Sequence, residues 1–446
     1  MGRCFIGYDV GSQGAKAVIC SDDGCVLATA SCEYPISYPH PAWAEQNPQH
    51  WIDALRTVTR AVLDRAGPRV GPVVVLGLDA YVDSVVPVDE GLRPLREAFL
   101  WMDRRAVQQC EWMSRVISPD RLFEITGLNL DPSHTAAKIL WVRDNEPGVF
   151  ERTWKFVVPA TYLVGWLTGG LVVDFSNASS TMLLDVRTRR WSGEVLAAIG
   201  LSEELLVPVR SATDVAGELR EDVANELGLP PGIPVVVGCG DEHAACVGAG
   251  VVEPGVVGDI GGTAEPVAVA ARAPAFDSSR LVETHCHAAP EMWLLENPGF
   301  VSGANLRWYR DTFGEAEVSA AKIVGMDAYE ILTNGARAVP PGSDGLVFLP
   351  CMMGAMTPEW NANARGVLYG LTLHHGRHHV VRAILEGSAY GLRDIIDGMR
   401  AAGVDCSEVR AVGGQARSAL WRQIKADVTG IPVVRLATDE TSCLGA

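Results

Sequence analysis

Cys4-Phe-Ile-Gly7-Tyr-Asp9-Val-Gly11-Ser12-Gln13-Gly14-Ala-Lys16 is the stretch whose reading decides the fold. Its first half is a short apolar strand and its second half a glycine turn, after which Lys16–Cys20 reads as another strand. A dinucleotide-binding turn needs G-x-G-x-x-G opening a helix. Here the glycine spacing is wrong, a strand follows the turn, and Asp9 stands where a pyrophosphate would come. A carboxylate repels phosphate unless a cation lies between them. The turn therefore points to Mg²⁺–nucleotide chemistry, with Asp9 anchoring the metal through water and backbone N–H groups holding phosphate oxygens.

Outward from this turn, Asp22-Asp-Gly24 leads into a third strand, Val26–Ala30, and completes a β-meander. Asn47-Pro48 supplies an N-cap and a first-turn proline for a helix with Ile52, Leu55, Val58 and Val62 on one face, stopped by Gly67. Val73–Leu78 reads as a buried strand leading to Asp79-Ala-Tyr81-Val82-Asp83, and the region from Trp101 to about Gly232 as a helix-rich insertion. Pro234-Val-Val-Val-Gly238-Cys-Gly240-Asp241 is again a buried strand, Val235–Gly238, whose turn presents a carboxylate. The small residues Ala244–Gly250 then read as a helix start. Val256-Val-Gly-Asp259-Ile-Gly261-Gly262-Thr263 with Pro266–Ala271 repeats the opening order of strand, glycine turn and strand, which indicates a duplicated architecture. His379–Ala401 has helical apolar spacing, and Val409–Val412 runs into Gly413-Gly414-Gln-Ala-Arg417-Ser418 and a further helix, a third turn suited to a nucleotide.

At 446 residues the chain exceeds the roughly 250–300 residues that one core supports, so two domains are expected. A net charge of −17 argues against a nucleic-acid or anionic-membrane partner, but not against ATP, whose phosphates backbone N–H groups and Mg²⁺ can hold. The 11 cysteines are scattered without a C-x-x-C pair, as in a reducing cytoplasm. No apolar run approaches the roughly 18 residues of a membrane span, so a cytoplasmic protein is expected.

Two domain turns can pinch a triphosphate while the third, Gly413-Gly414, holds the nucleoside end. This layout resembles the actin-like ATPase superfamily of sugar kinases, actin and related chaperones. Ser133-His-Thr135-Ala-Ala-Lys138-Ile-Leu-Trp141-Val-Arg-Asp144-Asn145 is similar to the first signature of the FGGY carbohydrate kinases. Gly366-Val-Leu-Tyr-Gly370-Leu371, with His379-Val380 and Ala383-Ile-Leu-Glu386, is similar to the second. Within that family Pro41-Ala-Trp43-Ala-Glu45-Gln46-Asn47-Pro48 and Leu100-Trp101-Met-Asp103 most resemble the bacterial xylulokinases.

The resemblance implies an α/β protein of two actin-like (ribonuclease H-like) domains flanking an ATP and sugar cleft. Residues 1–243 would bind sugar and hold the catalytic base, and residues 244–446 would bind ATP. It implies that Asp241 is the general base for the substrate hydroxyl and that Asp9 and Asp241 are the Mg²⁺-side carboxylates. Gly11, Ser12, Gln13 and Lys16 would line the first phosphate turn, Gly261, Gly262 and Thr263 the second. Gly413, Gly414 and Arg417 would border the adenosine site. A small sugar or polyol is the implied partner, and a homodimer is compatible with the family.

Substrate recognition departs from the relatives. Tyr81-Val82-Asp83 replaces the Gln-Met-His of xylulokinases and the Gln-Arg-Glu of glycerol kinases, and Asp83 suits neighbouring hydroxyls. Asp103 and Glu265 are further pocket candidates. The family's Gly-Glu-Arg-Thr-Pro loop is changed to Gly354-Ala-Met-Thr357-Pro358. A ketopentose such as D-xylulose is favoured, with ribulose, other ketoses, erythritol-like polyols and glycerol as alternatives. A non-sugar actin-like ATPase or silent binding relative is the rival class, disfavoured by the two signatures and by Asp241. Thr284-His285-Cys-His287 and the histidines at 374, 375, 378 and 379 read as packing or exposed groups, not a metal site. The chain ends at Leu444-Gly445-Ala446, where relatives continue with an alanine-rich helix and a further tail, so either a truncated form or a missing closing helix is expected.

Overall fold

The computed structural model describes residues 2–355, 357, 360–361 and 363–446; Met356 and Pro358 of the altered loop lie outside the described residues. The chain divides into two compact units. The first comprises Met1–Gly248, Thr284–Trp293 and Glu440–Ala446, and the second Ala249–Glu283 and Leu294–Asp439. The first unit thus runs on to Gly248 instead of stopping at residue 243, and two later segments rejoin it.

In the first unit the strands are β1 (Cys4–Val10), β2 (Gly14–Ser21), β3 (Val26–Glu33), β4 (Val73–Ala80), β5 (Val215–Glu218), β6 (Pro234–Val236) and β7 (Cys239–Gly240). They form one sheet in the order β5-β6-β4-β1-β2-β3, with β7 also on β4. β1 is antiparallel to β2 and parallel to β4. Side chains alternate across a strand, and β1 shows both consequences. The Tyr8 hydroxyl reaches Thr59 Oγ1 at 2.9 Å, on helix α1 (Pro48–Ala66) over one face. Asn47 caps that helix, its side chain accepting from the Gln49 N–H.

On the other face Gly7 and Gly77 are Cα partners across β1 and β4. A Cβ on Gly7 would overlap the Cys443 carbonyl, and one on Gly77 the Ala446 carbonyl. The two glycines therefore make room for the helix Thr441–Gly445. Two residues further along the same strands, on the same face, stand Asp9 and Asp79, again Cα partners.

The insertion adds α2 (Thr135–Asn145) and α3 (Phe175–Ser180) and has its own apolar core, including Phe99, Met113, Leu140, Trp141 and Leu196. The strand expected at Val235–Gly238 is split into β6 and β7, with Gly238 between them at φ 76°. α4 then spans Asp241–Gly248, so the helix begins at the carboxylate and not at Ala244.

The second unit repeats the design. β8 (Gly255–Ile260) is antiparallel to β9 (Ala264–Ala271), while β10 (Trp293–Val301) flanks β9. β8 is also parallel to β11 (Cys406–Val412), which is followed by β12 (Val433–Arg435). Each unit therefore has a central strand antiparallel to the next and parallel to a later one, as the expected duplication requires. The long helix α5 runs Arg377–Ala401, and α6 spans Ala419–Thr429.

Candidate active site

Three carboxylates converge in the first unit. Asp9 and Asp79 are placed by the β1–β4 register, and β7 pairs Cys239 with Asp79, which puts Asp241 one residue beyond the end of the same sheet. Asp241 occupies the first turn of α4, where backbone N–H groups favour a negative charge. Its Oδ1 accepts from the Glu242 N–H at 2.9 Å.

Asp79 is fully buried and neither of its oxygens meets a donor. Burial first, then the Asp9 and Asp241 charges, drive its carboxyl far above the usual carboxylate range. Burial raises Asp9 as well, against the pull of Lys16. Orphaned buried oxygens beside two further carboxylates are the donor set a hard divalent ion takes. The residues present fit Mg²⁺.

The turn after β1 is closed by the Gly11 N–H donating to the Gly14 carbonyl at 3.0 Å. Gln46 Nε2 donates to the Ser12 carbonyl at 3.0 Å, and the Trp101 indole donates to Ser12 Oγ at 2.9 Å. The Gln13 carbonyl accepts from the Tyr34 N–H. Lys16 lies 3.4 Å from Glu440. Burial works against its ammonium, but Glu440 and Asp9 outweigh it and hold the pKa above the ordinary lysine value.

The substrate candidates separate. Asp83 is half-buried in a left-handed conformation, φ 58°, with Oδ1 3.0 Å from His134 Nδ1. Lys138, buried in α2, grips its carbonyl at 2.5 Å and those of Leu100 and Ser133. Burial lowers Lys138 to about 8, with Asp83 and Asp103 acting in the opposite sense. Val82 packs over Gly240, where a Cβ would meet its methyl at 2.5 Å. Val82 and Asp83 therefore stand beside the segment that carries Asp241.

Three expectations are corrected. Tyr81 is a core residue, its hydroxyl on Gln46 Oε1 at 3.1 Å and its ring edge-on to Trp51. Asp103 is fully buried and saturated, accepting from the Ala44 N–H at 2.7 Å and from Arg105 through backbone and guanidinium. It clasps the chain and has no capacity left for a sugar. Glu265 lies in the second unit, fully buried against Lys425 at 3.0 Å.

In the second unit Gly261, Gly262 and Thr263 line a cavity of about 740 Å³ together with Gly414 and Arg417. Gly413, at φ 82°, lies so close to the Gly261 carbonyl that a Cβ would overlap it. Arg417 stands at the rim, ion-paired with Asp439 at 2.7 Å. A cavity of this size lined by two glycine turns suits a nucleotide.

Family profiles match both halves of the chain: the N-terminal domain of the FGGY family of carbohydrate kinases over residues 4–248, and its C-terminal domain over residues 260–446. The chain belongs to the FGGY family of carbohydrate kinases. A xylulose kinase of Klebsiella pneumoniae is 34% identical over 443 residues, covering 99% of this kinase and 88% of the relative. A gluconokinase of Bacillus subtilis is 29% identical, covering 99% and 86%. The crystal structure of a xylulose kinase from Rhodospirillum rubrum superposes with a TM-score of 0.91 at 28% identity, covering all of this chain and 88% of that one. The kinase is thus a phosphotransferase with an alcohol group as acceptor, on the actin-like fold. Among the described residues no helix is long and apolar enough to cross a membrane.

Three residues of this FGGY kinase escape a reading of the sequence as site residues: Asp79, His134 and Lys138. Asp79 sits in an apolar strand and becomes significant only through the register with β1. Lys138 does leave a signal, a lysine within the apolar run Ile139-Leu140-Trp141.

The histidines divide by unit. His243, buried in α4, has its ring 5.7 Å from that of His285 and 5.8 Å from that of His287, all in the first unit. In the second, Asp344 approaches His379 Nε2 at 3.2 Å and His374 Nε2 at 3.4 Å, supplying a carboxylate the sequence spacing does not show. His379 Nδ1, however, accepts from the Gly376 N–H at 3.0 Å, which places its proton on Nε2 toward Asp344. The group is a hydrogen-bonded helix cap.

Proposed function

We propose that this kinase transfers the γ-phosphoryl group of ATP, as its Mg²⁺ complex, to a hydroxyl of a small neutral sugar, a ketopentose such as D-xylulose being the favoured acceptor. The observation that carries the reading is the convergence of Asp9, Asp79 and Asp241 beside Val82 and Asp83. Asp241 accepts the hydroxyl proton while the substrate oxygen bonds to the γ-phosphorus and the bond from that phosphorus to the β,γ-bridging oxygen breaks, releasing ADP. Bound Mg²⁺ would be held by Asp9 and Asp241 with Asp79 beside them, and would offset the negative charge of the phosphates. The turns at Gly11–Gln13 and Gly261–Thr263 would line the phosphates, and Gly413, Gly414 and Arg417 would border the adenosine.

The substrate assignment draws on the xylulose kinases among the relatives and on charge. Asp83 and Asp241 favour hydroxyl donors and repel a carboxylate, so an acidic sugar such as gluconate suits this pocket less than a ketose or polyol. Ribulose, erythritol-like polyols and glycerol remain within the same chemistry. A cytoplasmic location is part of the same reading, as is the absence of nucleic-acid and membrane partners. ADP release measured with ATP and Mg²⁺ across a panel of ketoses, polyols and gluconate tests it. A neutral ketose stimulates turnover far above basal hydrolysis; stimulation by gluconate alone, or by none of the panel, contradicts it.

A further inference from the structure

The second unit buries a set of charges that the transfer reaction does not use. Asp259 on β8, Glu265 on β9 and Lys425 on α6 are 1%, 0% and 2% exposed. Lys425 Nζ lies 2.6 Å from Asp259 Oδ2 and 3.0 Å from Glu265 Oε1. Two carboxyls thus share one ammonium in a place without water, where an unbalanced charge is expensive. Burial, followed by the Asp259 charge, raises Glu265 to about 7, against the pull of the Lys425 ammonium. Burial also opposes the Lys425 ammonium, but Asp259 and Glu265 outweigh it and keep it protonated. Near neutral pH the set therefore carries either no net charge or one negative charge.

This set is joined to both glycine turns of the unit. Lys425 Nζ donates to Gln415 Oε1 at 3.3 Å, and the Ser302 hydroxyl donates to the same oxygen at 3.1 Å. Gln415 Nε2 donates to the Gly262 carbonyl at 3.4 Å. Gln415 follows Gly413-Gly414, so a single ammonium and a single amide tie one turn to the other. The groups facing Glu265 are Asp259 from β8, Lys425 from α6 and Ser302 from the end of β10. An ionised Glu265 draws the ammonium away from Gln415 and leaves a negative charge beside the turns that line the cavity.

We propose that Asp259, Glu265 and Lys425 position the Gly261-Gly262 and Gly413-Gly414 turns, and that the charge on this triad sets how tightly those turns hold a nucleoside diphosphate. The proposal rests on the reading of the 740 Å³ cavity as a nucleotide site. Glu265 and Lys425 are positioning residues, acting through Gln415 and the backbone of the turns.

Calorimetric titration of the full chain with ADP at pH 6 and pH 8.5 tests it, using wild type, Glu265→Gln and Asp259→Asn. Glu265→Gln keeps the shape of the protonated group, and Asp259→Asn leaves a balanced Glu265–Lys425 pair. Taking ratios of Kd at each pH cancels the titration of ADP itself. The wild-type to Glu265→Gln ratio is near one at pH 6 and rises on the order of tenfold at pH 8.5, as expected for one added charge near the phosphates in a medium of low effective dielectric. The ratio to Asp259→Asn shows the same step, so either variant suffices if the other fails to fold. ADP binding with ratios independent of pH overturns the proposal and leaves the nucleotide site standing. No ADP binding by the wild type overturns the nucleotide site and the proposal with it.

Discussion

Asp9 and Asp79 stand side by side on adjacent parallel strands, two residues beyond a pair of glycines that seats the helix Thr441–Gly445 against the same face of the sheet. The arrangement explains why two carboxyls can be brought so close. The strands fix them, and the packing of Cys443 and Ala446 against Gly7 and Gly77 keeps water away from one side. Repulsion is the cost, and a cation or a proton offsets it.

Replacing Asp79 by Asn tests that cost. The Asp79 pKa is raised in the folded state, so its unfavourable contribution is absent at low pH and grows as pH rises from the ordinary carboxylate range toward the raised value. In metal-free buffer Asp79→Asn matches the wild type near pH 4 and is more stable than the wild type at pH 8. Added Mg²⁺ raises the melting temperature of the wild type more than that of the variant. Urea unfolding at the two pH values and a Mg²⁺ titration of Tm check both statements.

Gly7→Ala puts a methyl group into the Cys443 carbonyl, and backbone on both sides cannot yield cheaply. A loss of about 2 kcal/mol or more is expected from such overpacking. Gly148→Ala, where nothing lies within 4 Å of the added atom, is the matched control and stays close to wild type. Chemical denaturation of the two variants distinguishes them.

Lys138→Met removes the donor shared by three carbonyls, that of Leu100 buried and those of Asp83 and Ser133 part-buried. Leaving them unpaired costs about 3 kcal/mol. Because one of those carbonyls belongs to Asp83 at φ 58°, the KM for the sugar also rises, while the KM for ATP is unchanged. Unfolding curves and a two-substrate kinetic matrix read the two effects separately.

How far the sequence carries depends on the range of the interaction. The glycine turns, the apolar strand β1 and the carboxylates Asp9 and Asp241 are local, and each is legible from a dozen residues. The meander, the repeated strand order and the family signatures follow from the same short-range patterns. Asp79 is not legible this way, because nothing within an apolar strand announces that a parallel neighbour aligns it with Asp9. Asp103 is misjudged for the opposite reason: Arg105, two residues on, turns back and fills its carboxyl with donors. Glu265 reads as a polar residue after a phosphate turn, yet its partner Lys425 sits on a helix far along the chain.

The central claim is that Asp241 takes the proton from the acceptor hydroxyl. The direct measurement is kcat for the best neutral ketose with wild type and Asp241→Asn, alongside ADP binding by both. The account predicts a fall in kcat on the order of 10² to 10⁴, with ADP affinity held within about twofold. Near-normal turnover in Asp241→Asn, with binding intact, would contradict it.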